Sequence, residues 1–120
     1  MGVPTLYVRM LADARLTREA AAHMRLFISG SAPMLVETHR DWQERTGHVI
    51  LERYGMSETI MLTSNPYRAD AHNGGQSERR AGTVGFALPG VGVRIVDDAG
   101  EQVPVGEIGN IQVRGPNVFK

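Results

Sequence analysis

Val49-Ile50-Leu51-Glu52-Arg53-Tyr54-Gly55-Met56-Ser57-Glu58-Thr59 runs from three apolar residues into an aromatic ring, a glycine, a hydroxyl and a carboxylate. The apolar start predicts a buried strand over residues 49–53, so the polar groups are expected where that strand ends. In open α/β sheets, the carboxyl ends of the strands are where ligands bind. A ring can stack on a base, a hydroxyl can meet a phosphate oxygen and a carboxylate can hold Mg²⁺. The same residues also suit a strand-to-helix turn with Ser57 as its cap, and spacing alone supports both readings.

Working outward, Leu26-Phe27-Ile28 is a second compact apolar run, too short for a helix, and predicts another buried strand, broken by Gly30-Ser31-Ala32-Pro33. Pro33 suits the first turn of a helix. Leu35, Thr38, Trp42 and Arg45 then recur at three- and four-residue spacings, and Gly47 is the expected stop. Strand, helix and strand make a βαβ unit, whose strands are parallel and whose crossover is right-handed. Both strands therefore end on one edge of the sheet, and the loop at residues 30–33 is expected beside Tyr54, Gly55, Met56, Ser57 and Glu58. Further upstream, residues 6–12 have helix-like spacing, and Thr17 is placed to cap a short helix over about 18–24.

Downstream, Ile60-Met61-Leu62 is a short apolar stretch before about twenty mostly polar residues that include Asn73-Gly74-Gly75. Val93-Arg94-Ile95-Val96 and Ile111-Gln112-Val113-Arg114 alternate as strands, with Asp97-Asp98-Ala99-Gly100 as a turn. The expected fold class is α/β, a partial parallel βαβ layer followed by an antiparallel β meander. Its expected division is an α/β nucleotide- and acyl-binding portion over residues 1–62, a linking loop over 63–82 and a β-rich, barrel-like portion over 83–120.

Composition narrows the chemistry. Thirteen basic and thirteen acidic residues cancel, which argues against a nucleic-acid or membrane-surface partner held by charge. Lys120 is the only lysine, so no lysine within the chain can serve as a nucleophile or a phosphate-loop cation. With no cysteine, disulfides, thiolate metal sites and cysteine catalysis are excluded, a composition that fits a reducing compartment. No apolar run approaches the roughly 20 residues of a membrane span. The expected location is therefore cytoplasmic. His23, His39, His48 and His72 lack metal-ligand spacing and are expected on the surface. Arg79-Arg80 is expected to be a solvated loop pair.

Three motifs in order carry a resemblance. Tyr54-Gly55-Met56-Ser57-Glu58 resembles the Tyr-Gly-x-Thr-Glu signature of the adenylate-forming superfamily of acyl-CoA synthetases, peptide-synthetase adenylation domains and luciferases. Gly30-Ser31-Ala32-Pro33 is similar to that superfamily's Gly-Gly-Ala-Pro adenine loop, and Gly106-Glu107-Ile108-Gly109 with Arg114-Gly115 to its Gly-Glu-Leu segment. Ser57 stands where threonine is usual, and Ser31 where the second glycine is usual. Within the superfamily, the wording around Ile28 to Pro33 and Glu52 to Thr59 looks most like malonyl-CoA synthetases.

The resemblance implies an internal piece of the large N-terminal domain of a longer enzyme. That enzyme would use ATP and Mg²⁺ to adenylate a small carboxylic acid and would pass the acyl group to CoA. It implies further that Gly30, Ser31, Ala32, Pro33, Tyr54, Gly55, Met56 and Ser57 hold the nucleotide. Ser57 and Glu58 would be catalytic, with Glu58 on Mg²⁺, and Ser29, Gly30, Arg53 and Met61 would line the acyl pocket. The upstream phosphate loop, the downstream ribose-binding aspartate and the lysine-bearing C-terminal domain lie outside these residues, so its partners include the remaining segments of the parent. Arg53 suits a second carboxylate on the substrate, because a guanidinium can hold one in bidentate fashion. It equally suits an ion pair with Glu52 or Glu58.

Overall fold

The computed structural model describes residues 1–68 and 78–119. The notional Asn73-Gly74-Gly75 loop and His72 lie outside the described residues. Helix α1 spans Pro4–Leu11, with its proline in the first turn, where the missing N–H costs nothing. Helix α2 is a single turn, Arg18–Ala21, whose Thr17 hydroxyl accepts the N–H of Ala20 at 3.1 Å. Strand β1 is Ile28–Ser29, α3 is Val36–Thr46, and β2 is Leu51–Met56. Strand β1 pairs with β2 in parallel, Ile28 opposite Leu51 and Ser29 opposite Glu52, so the βαβ unit forms as expected.

Its boundaries differ from the expectation. The first strand begins at Ile28 rather than Leu26, because Phe27 turns its ring onto Trp42, 4.9 Å between centroids. Helix α3 begins at Val36, after Pro33, since Met34 is drawn into the core from the preceding loop. Leu35, expected on the buried face, is 67% exposed as the helix N-cap. Gly47 ends the helix at φ +77, a left-handed conformation that favours glycine.

The largest departure concerns β2, which continues through Tyr54, Gly55 and Met56. Residues 57–59 form a tight turn into β3, Ile60–Ser64, which runs back antiparallel to β2. The signature therefore lies on a hairpin, and no helix follows for Ser57 to cap. Gly55 makes this pairing possible, because a Cβ there would lie 1.9 Å from the Ile60 carbonyl oxygen. A register shift beside Tyr54 and Gly55 gives β3 an extra residue and turns both Leu62 and Thr63 inward, as bulges do. Strand β4, Phe86–Ala87, adds antiparallel to β3 and completes a mixed sheet in the order β1-β2-β3-β4.

The core lies between this sheet and the helices. Trp42 is fully buried with Tyr7, Met34 and Ile50, and the Tyr7 and Trp42 rings meet edge to face at 4.8 Å. The Tyr7 hydroxyl donates to the Ile28 carbonyl at 2.6 Å, and burial pushes its pKa up to about 12, so it remains a donor. His39, expected on the surface, is 3% exposed, with Nε2 on the Ile50 carbonyl at 3.1 Å. It faces the sheet because its helix turn also carries Trp42 inward. A separate antiparallel pair, β5 at Gly92–Val96 and β6 at Asn110–Arg114, forms the later β region, with the Asp97 carboxylate accepting the N–H groups of Ala99 and Glu101 in its turn.

Charged side chains also hold the backbone. Arg45 donates to the carbonyls of Leu16, Leu11 and Asp13. Arg79, expected to be solvated, donates to the carbonyls of Val49, Pro66 and Tyr67, since its half-buried guanidinium finds them where two loops meet. Glu52 is 5% exposed within β2, and its carboxylate accepts the Gly82 N–H at 3.2 Å. Buried Asn65 stands beside it, donating to the carbonyls of Glu52 and Thr83 and accepting the Arg80 N–H.

Gly55→Ala must push the Ile60 backbone aside and should destabilise the protein by about 1–3 kcal/mol in chemical denaturation; an unchanged midpoint contradicts the close approach. Burial raises the Glu52 pKa above its ordinary 4.5, with the Gly82 N–H opposing. A raised folded-state value means that Glu52 contributes stability below pH 4.5 that is lost as pH rises through the raised value. Glu52→Gln keeps an acceptor for Gly82, so between pH 4.5 and neutrality its stability should fall less steeply than that of the unsubstituted protein. A steeper fall in the variant contradicts the assignment.

Candidate nucleotide and acyl site

The parallel pairing sets the loop after β1 against the second half of β2. Ser31, Ala32, Pro33 and Met34 from the loop, Glu52, Arg53, Tyr54 and Gly55 from β2, and Gly82 and Val84 from the segment before β4 line one cleft of about 270 Å³. Gly30, expected in the site, is buried just before this loop and is not among the lining residues; a Cβ there would come 3.3 Å from the Arg53 carbonyl oxygen. Ser31 takes φ +69, which accounts for the glycine usual at this position. The half-buried Tyr54 lines the cleft together with Ala32 and Pro33.

Not every expected residue lines that cleft. Met56, Ser57 and Glu58 are exposed at the far end of the β2–β3 hairpin, beyond the lining residues. Met61 is half-buried opposite Gly55, one strand removed. Ser29 is buried at 1% exposure opposite Glu52, and its hydroxyl has no partner among the described residues.

Arg53 has no carboxylate partner among the described residues, where Arg15 with Asp13 is the ion pair present. The alternative in which Glu52 or Glu58 neutralises it is therefore not realised. Its Nη2 contacts the Met1 sulfur at 2.9 Å, and its Nε is buried without a partner. An arginine so placed is available to an anion.

The expected ligands can be weighed against this geometry. A tyrosine beside the small side chains of Ser31, Ala32 and Pro33 fits a flat base. The cleft is slightly smaller than the roughly 300–1,000 Å³ of complete small-molecule sites, which suits a portion of a larger site. Among the described residues no group of three His, Cys, Asp or Glu side chains could hold a metal ion. Glu58 alone still suits Mg²⁺, which commonly takes one or two carboxylates and completes its shell with substrate phosphates and water. Glu52, Gly82 and Val84 are lining residues that the sequence reading did not assign. Glu52 was legible only as the residue beside Arg53, while Gly82 and Val84 reach the cleft through the Asn65 and Glu52 hydrogen bonds, which carry no short-range signal.

The AMP-binding enzyme family matches residues 1–120. Among solved structures, the chain is 58% identical to ATP-bound MatB from Rhodopseudomonas palustris, with a TM-score of 0.90, covering 100% of this chain and 22% of that one. A malonyl-CoA ligase solved as a ternary product complex with methylmalonyl-CoA and AMP is 46% identical at a TM-score of 0.77, covering 99% of this chain and 24% of that one. A malonate–CoA ligase from Arabidopsis thaliana is 39% identical over 127 residues, covering 99% of this chain and 19% of its own length. The chain thus spans about a fifth of the length of these relatives. No described helix is long and apolar enough to cross a membrane. With a family match along its whole length and a mixed sheet like that of the N-terminal domain of adenylate-forming enzymes, the chain belongs to the AMP-binding enzyme family.

Proposed function

We propose that the protein carrying this chain is an ATP-dependent acid–CoA ligase acting on malonate. The substrate carboxylate attacks the α-phosphorus of ATP and releases pyrophosphate, and the CoA sulfur then attacks the acyl carbon and releases AMP. The observation that carries the reading is Arg53, which lies without an acidic partner on the cleft shared by Tyr54 and the 30–33 loop. Its guanidinium suits the second carboxylate of malonate, and the relatives named for malonate support that substrate.

In this reading Tyr54 stacks on adenine, while Gly30, Ser31, Ala32, Pro33, Gly55 and Met56 follow the base and sugar. Ser57 meets the α-phosphate, and Glu58 holds Mg²⁺, which neutralises phosphate charge when bound. Ser29, Gly30, Arg53 and Met61 bound the acyl group, with the Ser29 hydroxyl and the Arg53 Nε as polar atoms awaiting a partner. Rate then comes from positioning and charge neutralisation. Residues 1–62 carry most of the nucleotide- and acyl-binding portion and 83–120 the β-rich portion, with 63–82 between them, while β3 runs on to Ser64, β4 joins the same sheet, and Gly82 and Val84 share the cleft. The 120 residues alone are inactive, because the remaining segments of the parent complete the site. We place the enzyme in the cytoplasm, although several malonate–CoA ligase relatives carry mitochondrial names.

A charge-assisted hydrogen bond is worth about 1.5–3 kcal/mol, or about 10- to 100-fold in binding. Arg53→Ala in the complete enzyme should therefore raise KM for malonate by about tenfold or more while changing KM for acetate and propionate by less than about threefold. Equal losses across the three acids would remove the dicarboxylate assignment, and preference for a long-chain acid in the unsubstituted enzyme would replace malonate altogether.

A further inference from the structure

Ile60 sits at φ +57, a left-handed conformation that a β-branched residue adopts only when its surroundings impose it. Its side chain is 70% exposed, so packing of that side chain does not impose the conformation. The restraint comes from the backbone on either side. The Asn117 side-chain amide donates to the Thr59 carbonyl at 2.6 Å and to the Met61 carbonyl at 3.1 Å, the two residues that flank Ile60. Two residues further on, the Phe119 N–H donates to the Glu58 carbonyl at 2.7 Å. Gly115 allows this approach, since a Cβ there would lie 2.5 Å from Asn117 Oδ1, and a bond from the Val118 N–H to the Gly115 carbonyl at 3.2 Å closes the turn that presents Asn117.

The hairpin turn that carries Ser57 and Glu58 is thus held from a segment nearly sixty positions away in the chain. Without the Asn117 amide, Ile60 can relax toward an ordinary extended φ. Any such rotation redirects the residues just before it, and Glu58 is two residues away. We propose that Asn117 is a positioning residue, which fixes the direction of the Ser57 and Glu58 side chains by holding Ile60 in its strained conformation. The consequence for turnover rests on the reading of Ser57 and Glu58 as phosphate and metal contacts.

The test uses the complete enzyme as Asn117→Ala, Ile60→Asn and the double variant, because asparagine accepts the left-handed region more readily than isoleucine. Two readouts are taken: amide hydrogen exchange at Thr59 and Phe119, and malonate-dependent ATP–pyrophosphate exchange. Asn117→Ala should speed amide exchange at both positions by about tenfold or more. It should lower kcat by about tenfold or more, with KM for malonate changed by less than about threefold. Ile60→Asn should keep near-normal activity alone and should restore most of kcat in the double variant at a temperature well below the melting point of Asn117→Ala, where general loss of stability would not lower kcat. A folded Asn117→Ala enzyme with normal kcat, or a double variant no better than Asn117→Ala, would overturn the proposal. An unsubstituted enzyme inert with every acid would instead remove the ligase reading, and unchanged amide exchange in Asn117→Ala would by itself remove the restraint.

Discussion

The parallel pairing of Ile28 with Leu51 and of Ser29 with Glu52 fixes everything that follows in this fold. It sends the 30–33 loop and the second half of β2 to one edge, where they share a cleft. Two buried side chains hold that pairing from beneath, the Tyr7 hydroxyl on the Ile28 carbonyl and the His39 ring on the Ile50 carbonyl. Both come from helices that meet around Trp42. Core packing and site geometry are therefore one problem: losing Trp42 contacts would loosen the two strands that place Tyr54 and Arg53.

A second constraint acts along the hairpin. Gly55 and Ile60 approach more closely than any side-chain-bearing residue at position 55 would allow, and Ile60 takes a left-handed φ at the same place. The bulge beside Tyr54 and Gly55 then lets Leu62 and Thr63 both point inward. Such local departures from ideal geometry cluster where function is built, because the surrounding structure must hold them.

Parts of this arrangement were legible in the sequence. The two short apolar runs, the Gly47 stop, the Thr17 cap and the Asp97 turn each carry a local signal, although β1 keeps only Ile28 of its run, β2 starts at Leu51, and the helix that Thr17 caps ends at Ala21 rather than near residue 24. The hairpin was not legible, because Ser57-Glu58-Thr59 suits a helix cap as well as a tight turn, and the role of Gly55 depends on a strand that comes later. The burial of His39 and the spending of Arg79 on three carbonyls were equally hidden, since both are settled by which backbone groups tertiary folding leaves unpaired. The family was legible through its motifs, whereas the clamp that Asn65 and Glu52 place on residues 80–83 has no motif to announce it.

Arg45 and Arg79 are committed to the backbone, whereas Arg53, a residue of the cleft lining, has no acidic partner among the described residues. The proposed site therefore depends most on what meets that guanidinium. A crystal structure of the complete enzyme with malonate and a non-hydrolysable ATP analogue tests it most directly. Adenine should stack on Tyr54 beside the 30–33 loop, and the distal carboxylate of malonate should make bidentate contact with Arg53. A base bound elsewhere, or a malonate whose distal carboxylate leaves Arg53 untouched, would contradict it.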